Sequence, residues 1–82
     1  MNVTTPAYFE IIDFIAAGTT PDAVAHYRLS PETQRRVAEL VDREKAARLS
    51  SDEKAELDHF MELEHIMRMA KARARQILSS GQ

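Results

Sequence analysis

Two Glu-x-x-His spacings stand in the second half of this chain, Glu56…His59 and Glu62…His65. A three-residue step puts both side chains on one helical face. Paired copies of it, joined by further inward carboxylates, hold di-iron centres in helical bundles. The setting here points elsewhere. Glu62 and His65 lie off the apolar face of their helix, and Glu56 and His59 sit at its edge. No separate inward Glu is evident upstream, so all four read as a solvated face and no metal is expected. Nucleophiles fare no better. Thr5, Thr20, Ser30 and Ser50 each stand where a helix needs a cap, and no local motif pairs them with a base. His26 lies alone on a short helix. The chain has no Cys and no Gly-rich phosphate loop. No catalytic residue and no cofactor are expected, and the chain reads as a non-enzyme.

Charge is the second candidate. Arg68, Lys71, Arg73 and Arg75 follow one another with no acid among them, whereas Asp52, Glu53, Glu56, Asp58, Glu62 and Glu64 precede them with only Lys54. Acids first and bases last complement a helix dipole. The same run could contact an anion or a nucleic acid, although no aromatic residues interleave with it. A further route to nucleic acid is a degenerate helix-turn-helix over residues 21–40. Asp22-Ala23-Val24-Ala25 followed by Leu29-Ser30-Pro31-Glu32-Thr33-Gln34-Arg35-Arg36 resembles the first helix, turn and recognition-helix start of that motif. Gln34, Arg35 and Arg36 would be the contacting residues. Arg28 stands where the motif has Gly, and the turn is about one residue short.

Four helices must position these groups. Thr5-Pro6 supplies a cap and a first-turn proline, and Tyr8, Ile11, Ile12 and Ile15 follow at helical spacing, giving a helix over 6–17 that Gly18 ends. Glu10, Asp13 and Ala17 are left as its wet edge. Thr20-Pro21 starts a short helix over 21–26, with Val24 and Tyr27 inward. Arg28-Leu29 is extended because a proline follows at 31. Ser30-Pro31 starts a third helix, to 47, whose stripe is Val37, Leu40, Val41 and Ala47. Pairs Glu32–Arg36, Glu39–Arg43 and Glu44–Arg48 lace its outer faces, at about 0.2–0.5 kcal/mol each.

The last helix spans 51–78, and the stretch from Ser50 to Leu78 contains neither Pro nor Gly. Two features set its start near Leu49. Ser50-Ser51-Asp52-Glu53 reads as a capping box. In addition, Leu40 and Phe60 would lie roughly 200° apart on a continuous helix, so the two apolar stripes meet only if the chain turns back. The alternative, one unbroken helix, stays open because Ala46-Ala47 stands where a turn favours Gly. Within the last helix Phe60, Leu63, Met67, Ala70, Ala74 and Ile77 recur in alternating steps of three and four, a heptad seam. Met61 and Met69 widen the arc, which argues for two neighbouring helices or for a Met-rich docking surface. At about 1.5 Å per residue this helix reaches roughly 42 Å and the preceding one only about 25 Å.

The expected fold is therefore all-α: a helical hairpin, 31–47 with 51–78, on which two N-terminal helices pack, in one domain frayed at 1–4 and 79–82. Eighty-two residues make a thin core, and chains of this size often gain stability by self-association. Excess seam and short partner helices lead to a homodimer through Phe60, Leu63, Met67, Ala70, Ala74 and Ile77. A formal charge of −2 argues against a generic nucleic-acid coat. Apolar runs reach only four residues, far short of a membrane span. No basic run precedes an apolar block at the N-terminus, so no signal peptide is expected and the cytoplasm is the expected compartment.

Four segments carry a wider likeness: Glu10-Ile11-Ile12-Asp13-Phe14-Ile15-Ala16-Ala17-Gly18-Thr19-Thr20-Pro21, Arg43-Glu44-Lys45, Glu53-Lys54-Ala55-Glu56-Leu57-Asp58-His59, and Leu63 through Arg75. Together they resemble a family of small uncharacterised all-helical bacterial proteins, largely cyanobacterial. The family is similar in size and character to antitoxins of toxin–antitoxin pairs. The resemblance implies protein–protein interaction with a partner such as a toxin, and it brings no catalytic residue. The expected function is a homodimerising interaction module, with nucleic-acid binding as the alternative.

Overall fold

The computed structural model describes residues 5–80. It is all-α: α1 (Phe9–Ala16), α2 (Pro21–Ala25), α3 (Pro31–Lys45) and α4 (Ser51–Ser79). Local chemistry starts three of the four. The Thr20 hydroxyl accepts from Ala23 N–H at 3.2 Å, and the Ser30 hydroxyl accepts from Thr33 N–H at 3.2 Å, each ahead of a proline in the first turn. The α4 start is a complete capping box. Glu53 N–H donates to the Ser50 hydroxyl and Ser50 N–H donates to the Glu53 carboxylate, both at 3.1 Å.

α1 is shorter than the sequence suggests. Its N-cap is Tyr8, with no side-chain cap bond, and not Thr5. The cause lies 49 residues away: Ala7 N–H donates to a Glu56 carboxylate oxygen at 2.9 Å, which draws Ala7 into the core before the helix begins. Glu10, expected on the wet edge, is half-buried and works as an anchor. Its carboxylate accepts from Ser30 N–H and the Ser30 hydroxyl, both at 2.8 Å, and from the Thr33 hydroxyl at 2.5 Å. Burial pulls the Glu10 carboxyl upward, but the bonds from Thr33 and Ser30 outweigh it and hold it below the ordinary carboxylate range. The first helix is thereby tied to the N-terminus of the third.

The chain does turn back before α4, and it does so without glycine. Ala47 takes φ +58°, Ala47 N–H donates to Glu44 C=O at 3.0 Å, and Arg48 N–H to Arg43 C=O at 2.8 Å. This is a Schellman ending with alanine in the left-handed position. The expected helix to residue 47 thus stops at Lys45, while α4 runs one residue beyond its expected end and takes in Ser79. The fraying expected at 1–4 and at 81–82 lies outside the described residues. An L-residue in the left-handed position of Ala47 costs roughly 1–2 kcal/mol in steric strain, while glycine gives back about 0.4–1 kcal/mol through unfolded-chain entropy. Ala47→Gly is therefore expected to stabilise the fold by about 0.5–1 kcal/mol, read as a rise in the urea midpoint at unchanged slope.

α3 lies along the first half of α4. Arg36 bonds the Glu56 carboxylate through Nε at 3.1 Å and Nη2 at 2.9 Å, and Arg43 pairs with Glu53. The pairs expected within α3 are largely displaced by these bonds: Arg36 keeps only a 3.9 Å approach to Glu39. α2 packs chiefly on α4. The core where the helices meet is small: Ala7, Ile11, Phe60 and Met67 are buried together, bordered by Phe14, Val24, Tyr27, Leu29 and Val37.

Candidate interaction surfaces

The heptad seam of α4 faces inward. Phe60, Met67 and Ala74 are buried within the protomer, Leu63 and Ala70 are half-buried, and Ile77 is at its border, 37% exposed. This corrects the expectation that the seam forms the dimer contact. α1 and α2 are short, but Ile11, Val24 and Tyr27 reach the seam and occupy the place expected for a second copy.

Other apolar side chains are left outside. Phe9, Ile12 and Ile15 stand out on α1, and Met61, Ile66, Met69 and Leu78 join Ile77 on α4. The Tyr8 ring meets the His59 ring edge-on, centroids 5.3 Å apart, so α1 begins beside the flank of α4 that carries His59. At about 100° per residue, Ile66 and Ile77 lie on that same flank.

Three of the four Glu-x-x-His side chains are engaged otherwise, and His65 is exposed. Glu56 binds Arg36 and the Ala7 amide, His59 stacks on Tyr8, and Glu62 approaches His59 Nδ1 at 3.6 Å. Among the described residues no three His, Cys, Asp or Glu side chains converge as a metal site.

The basic residues separate into groups that sequence order conceals. Arg68, Lys71 and Arg75 share one side of α4 and, with His26 and Arg28 of the α2–α3 connector, line an open groove of about 900 Å³. Its floor includes Tyr27, Leu29, Met67 and Leu78. Arg68 is paired with Glu64 at 2.5 Å, and the Lys71 ammonium lies 5.9 Å from the centre of the Tyr27 ring. The Tyr27 hydroxyl is buried near the Glu10 carboxylate. Burial and the neighbouring Glu10 charge push it up to about 12. Arg73 points away from this groove and bonds Gln76 at 3.1 Å. On α3, Arg36 is held by Glu56, and Gln34 Nε2 donates back to Leu29 C=O at 2.9 Å. Of the three residues expected to read nucleic acid there, Gln34 and Arg35 are exposed and Arg36 is half-buried. Arg28 is the groove residue that sequence reasoning missed: an extended dipeptide between two proline-started helices carries no mark of the helix it returns to.

No protein-family model matches the chain, and no curated protein or solved structure does. Among the described residues no helix is long and apolar enough to cross a membrane.

Proposed function

We propose that this chain is a non-enzymatic protein–protein interaction module that associates with itself. One observation carries the reading. Eight large apolar side chains are exposed among the described residues, against seven buried hydrophobic ones. Single exposed apolar residues are ordinary on a small protein, but adjoining ones mark contact surfaces. Ile66 and Met69 share one exposed side of α4, α1 begins beside it and carries the exposed Phe9, Ile12 and Ile15, and a partner helix would lie along this side. The antitoxin-like role implied by the family resemblance would draw on the same face, with a second protein in place of a second copy.

Sedimentation tests the reading. A dimer is expected at micromolar concentration, and Ile15→Lys with Ile66→Lys is expected to return the chain to monomer with its helical content kept. A wild-type chain that stays monomeric into the high micromolar range would remove it.

A second reading is favoured by the groove. Four basic side chains, Arg28, Arg68, Lys71 and Arg75, line the open groove together with one acid, Glu64, which is paired with Arg68. Anion or nucleic-acid contact would use them together. Labelled single- or double-stranded DNA is then expected to bind at low salt and be lost steeply as salt rises, and Arg28→Ala with Arg75→Ala is expected to flatten that dependence. Absence of binding at low salt ends this reading.

A further inference from the structure

A second heptad seam runs along α4, and every residue of it is exposed. It starts at Ala55 and proceeds in strict steps of four and three through His59, Glu62, Ile66, Met69, Arg73 and Gln76 to residue 80. At about 100° per residue these positions fall within an arc of roughly 100°, turned away from Phe60 and Met67. Its sequence has a property that a solvated face does not need. Read from either end about the midpoint between Met67 and Arg68, each position meets a complementary one. Ile66 meets Met69, Glu62 meets Arg73, and His59 meets Gln76.

Resting on the self-association reading, we propose that two copies pair antiparallel along this seam, about a two-fold axis at the Met67–Arg68 peptide. The centre is then Ile66 against Met69, twice, and Glu62 faces Arg73 of the second copy on both sides. An isologous two-fold contact requires this kind of self-complementarity. Charge selects the arrangement. A parallel pair in register sets Glu62 against Glu62 and Arg73 against Arg73, which is repulsive. Sliding the antiparallel pair by one heptad sets Glu62 against Ile66, or Ile66 against Gln76, and desolvates charge or amide without a partner. In the protomer Glu62 and Arg73 have only neighbours three residues away on their own helix, His59 at 3.6 Å and Gln76 at 3.1 Å. Both remain available to an interhelical partner. The acidic first half and basic second half of α4 favour the same head-to-tail direction.

The chain as it stands, having no cysteine, permits two measurements. In sedimentation equilibrium, Glu62→Arg and Arg73→Glu are each expected to weaken the dimer about tenfold or more through paired like charges. Together they are expected to restore it to within about threefold, because the pairs reform with signs exchanged. Circular dichroism of each variant verifies that the exposed substitutions leave the helices intact. For the second measurement, a single spin label at Ala55→Cys is expected to give an interlabel distance of about 38 Å, from 25 residues of separation along the axis at 1.5 Å each. Parallel pairing would bring the labels to about 10 Å, the separation of packed helices. A dimer that ignores both single reversals, or that fails to recover in the double variant, or that shows the short distance, overturns the antiparallel seam and leaves self-association standing. A wild-type monomer removes self-association itself.

Discussion

Ile11→Ala is expected to destabilise the protein by about 3 kcal/mol, within the 2–5 kcal/mol that burying-to-cavity changes of Ile or Leu usually cost. Ile11 is 1% exposed and sits where α1 meets Phe60 and Met67. Among the described residues the only other large side chain so fully enclosed is Leu40. A chain of this size has a total stability of about 4–12 kcal/mol at the usual 0.05–0.15 kcal/mol per residue. The loss is thus a large fraction of the whole. The neighbouring core cannot easily collapse into the gap, because Ala7 is pinned by Glu56 on one side and Glu10 is pinned by Ser30 and Thr33 on the other. Urea unfolding followed by circular dichroism checks it: with a slope of about 1–1.5 kcal/mol per molar, the midpoint should fall by about 2–3 M. Ile15→Ala, at a site 51% exposed on the same helix, should cost under about 1 kcal/mol in the monomer. Equal costs at the two sites would mean that α1 does not pack as described.

The contrast between these two isoleucines marks where the sequence was readable. Periodicity placed Tyr8, Ile11, Ile12 and Ile15 on one stripe, yet a stripe does not say which of its members touches a neighbour. Helix starts were legible wherever the determining bond is local, as at Thr20, Ser30 and Ser50, whose partners lie three residues on. The α1 start was not, because its determining partner is Glu56. The hairpin was legible from the capping box and the change of apolar face. The Schellman turn was obscured, since Ala47 occupies a position that glycine would have advertised. Phe60, Met67 and Ala74 were recognisable as buried, but not their occupant, because Ile11, Val24 and Tyr27 come from segments too short to look sufficient. The outer seam of α4 leaves little trace in the sequence for a different reason: only Ile66 and Met69 among its members are strongly apolar, so a hydrophobicity pattern passes over it. Helical arithmetic, in contrast, separates Arg73 from Arg68, Lys71 and Arg75 without any coordinates.

Glu56 joins three segments and should be the most sensitive polar side chain in the molecule. Its carboxylate accepts from Arg36 Nε and Nη2 and from Ala7 N–H. Burial pulls the carboxyl upward, but the Arg36 bond, the Ala7 amide and the Arg36 charge prevail and hold it below the ordinary carboxylate range. Arg36 is correspondingly raised, first by its bond to Glu56. Glu56→Gln keeps the shape but removes the charge, and turns an amide NH₂ towards a set of donors. The expected cost is about 2–3 kcal/mol, the range for hydrogen bonds to charged groups with a partner left unmatched. The pH dependence has a definite sign. Because the folded pKa lies below the unfolded value of about 4.3, the contribution is complete above that value. It is lost as the pH falls through the lower, folded one. Glu10 acts in the same direction. Wild-type stability should therefore decline on acidification from about pH 5 downward, and the decline should be shallower in Glu56→Gln. Arg36→Met completes a cycle. If the pair is the source of the effect, Glu56→Gln made in the Arg36→Met background should cost at least about 1 kcal/mol less than in the wild type. Additive costs, or parallel pH profiles for wild type and Glu56→Gln, would show that Glu56 is a surface carboxylate and that α1 and α3 are held to α4 by apolar contact instead.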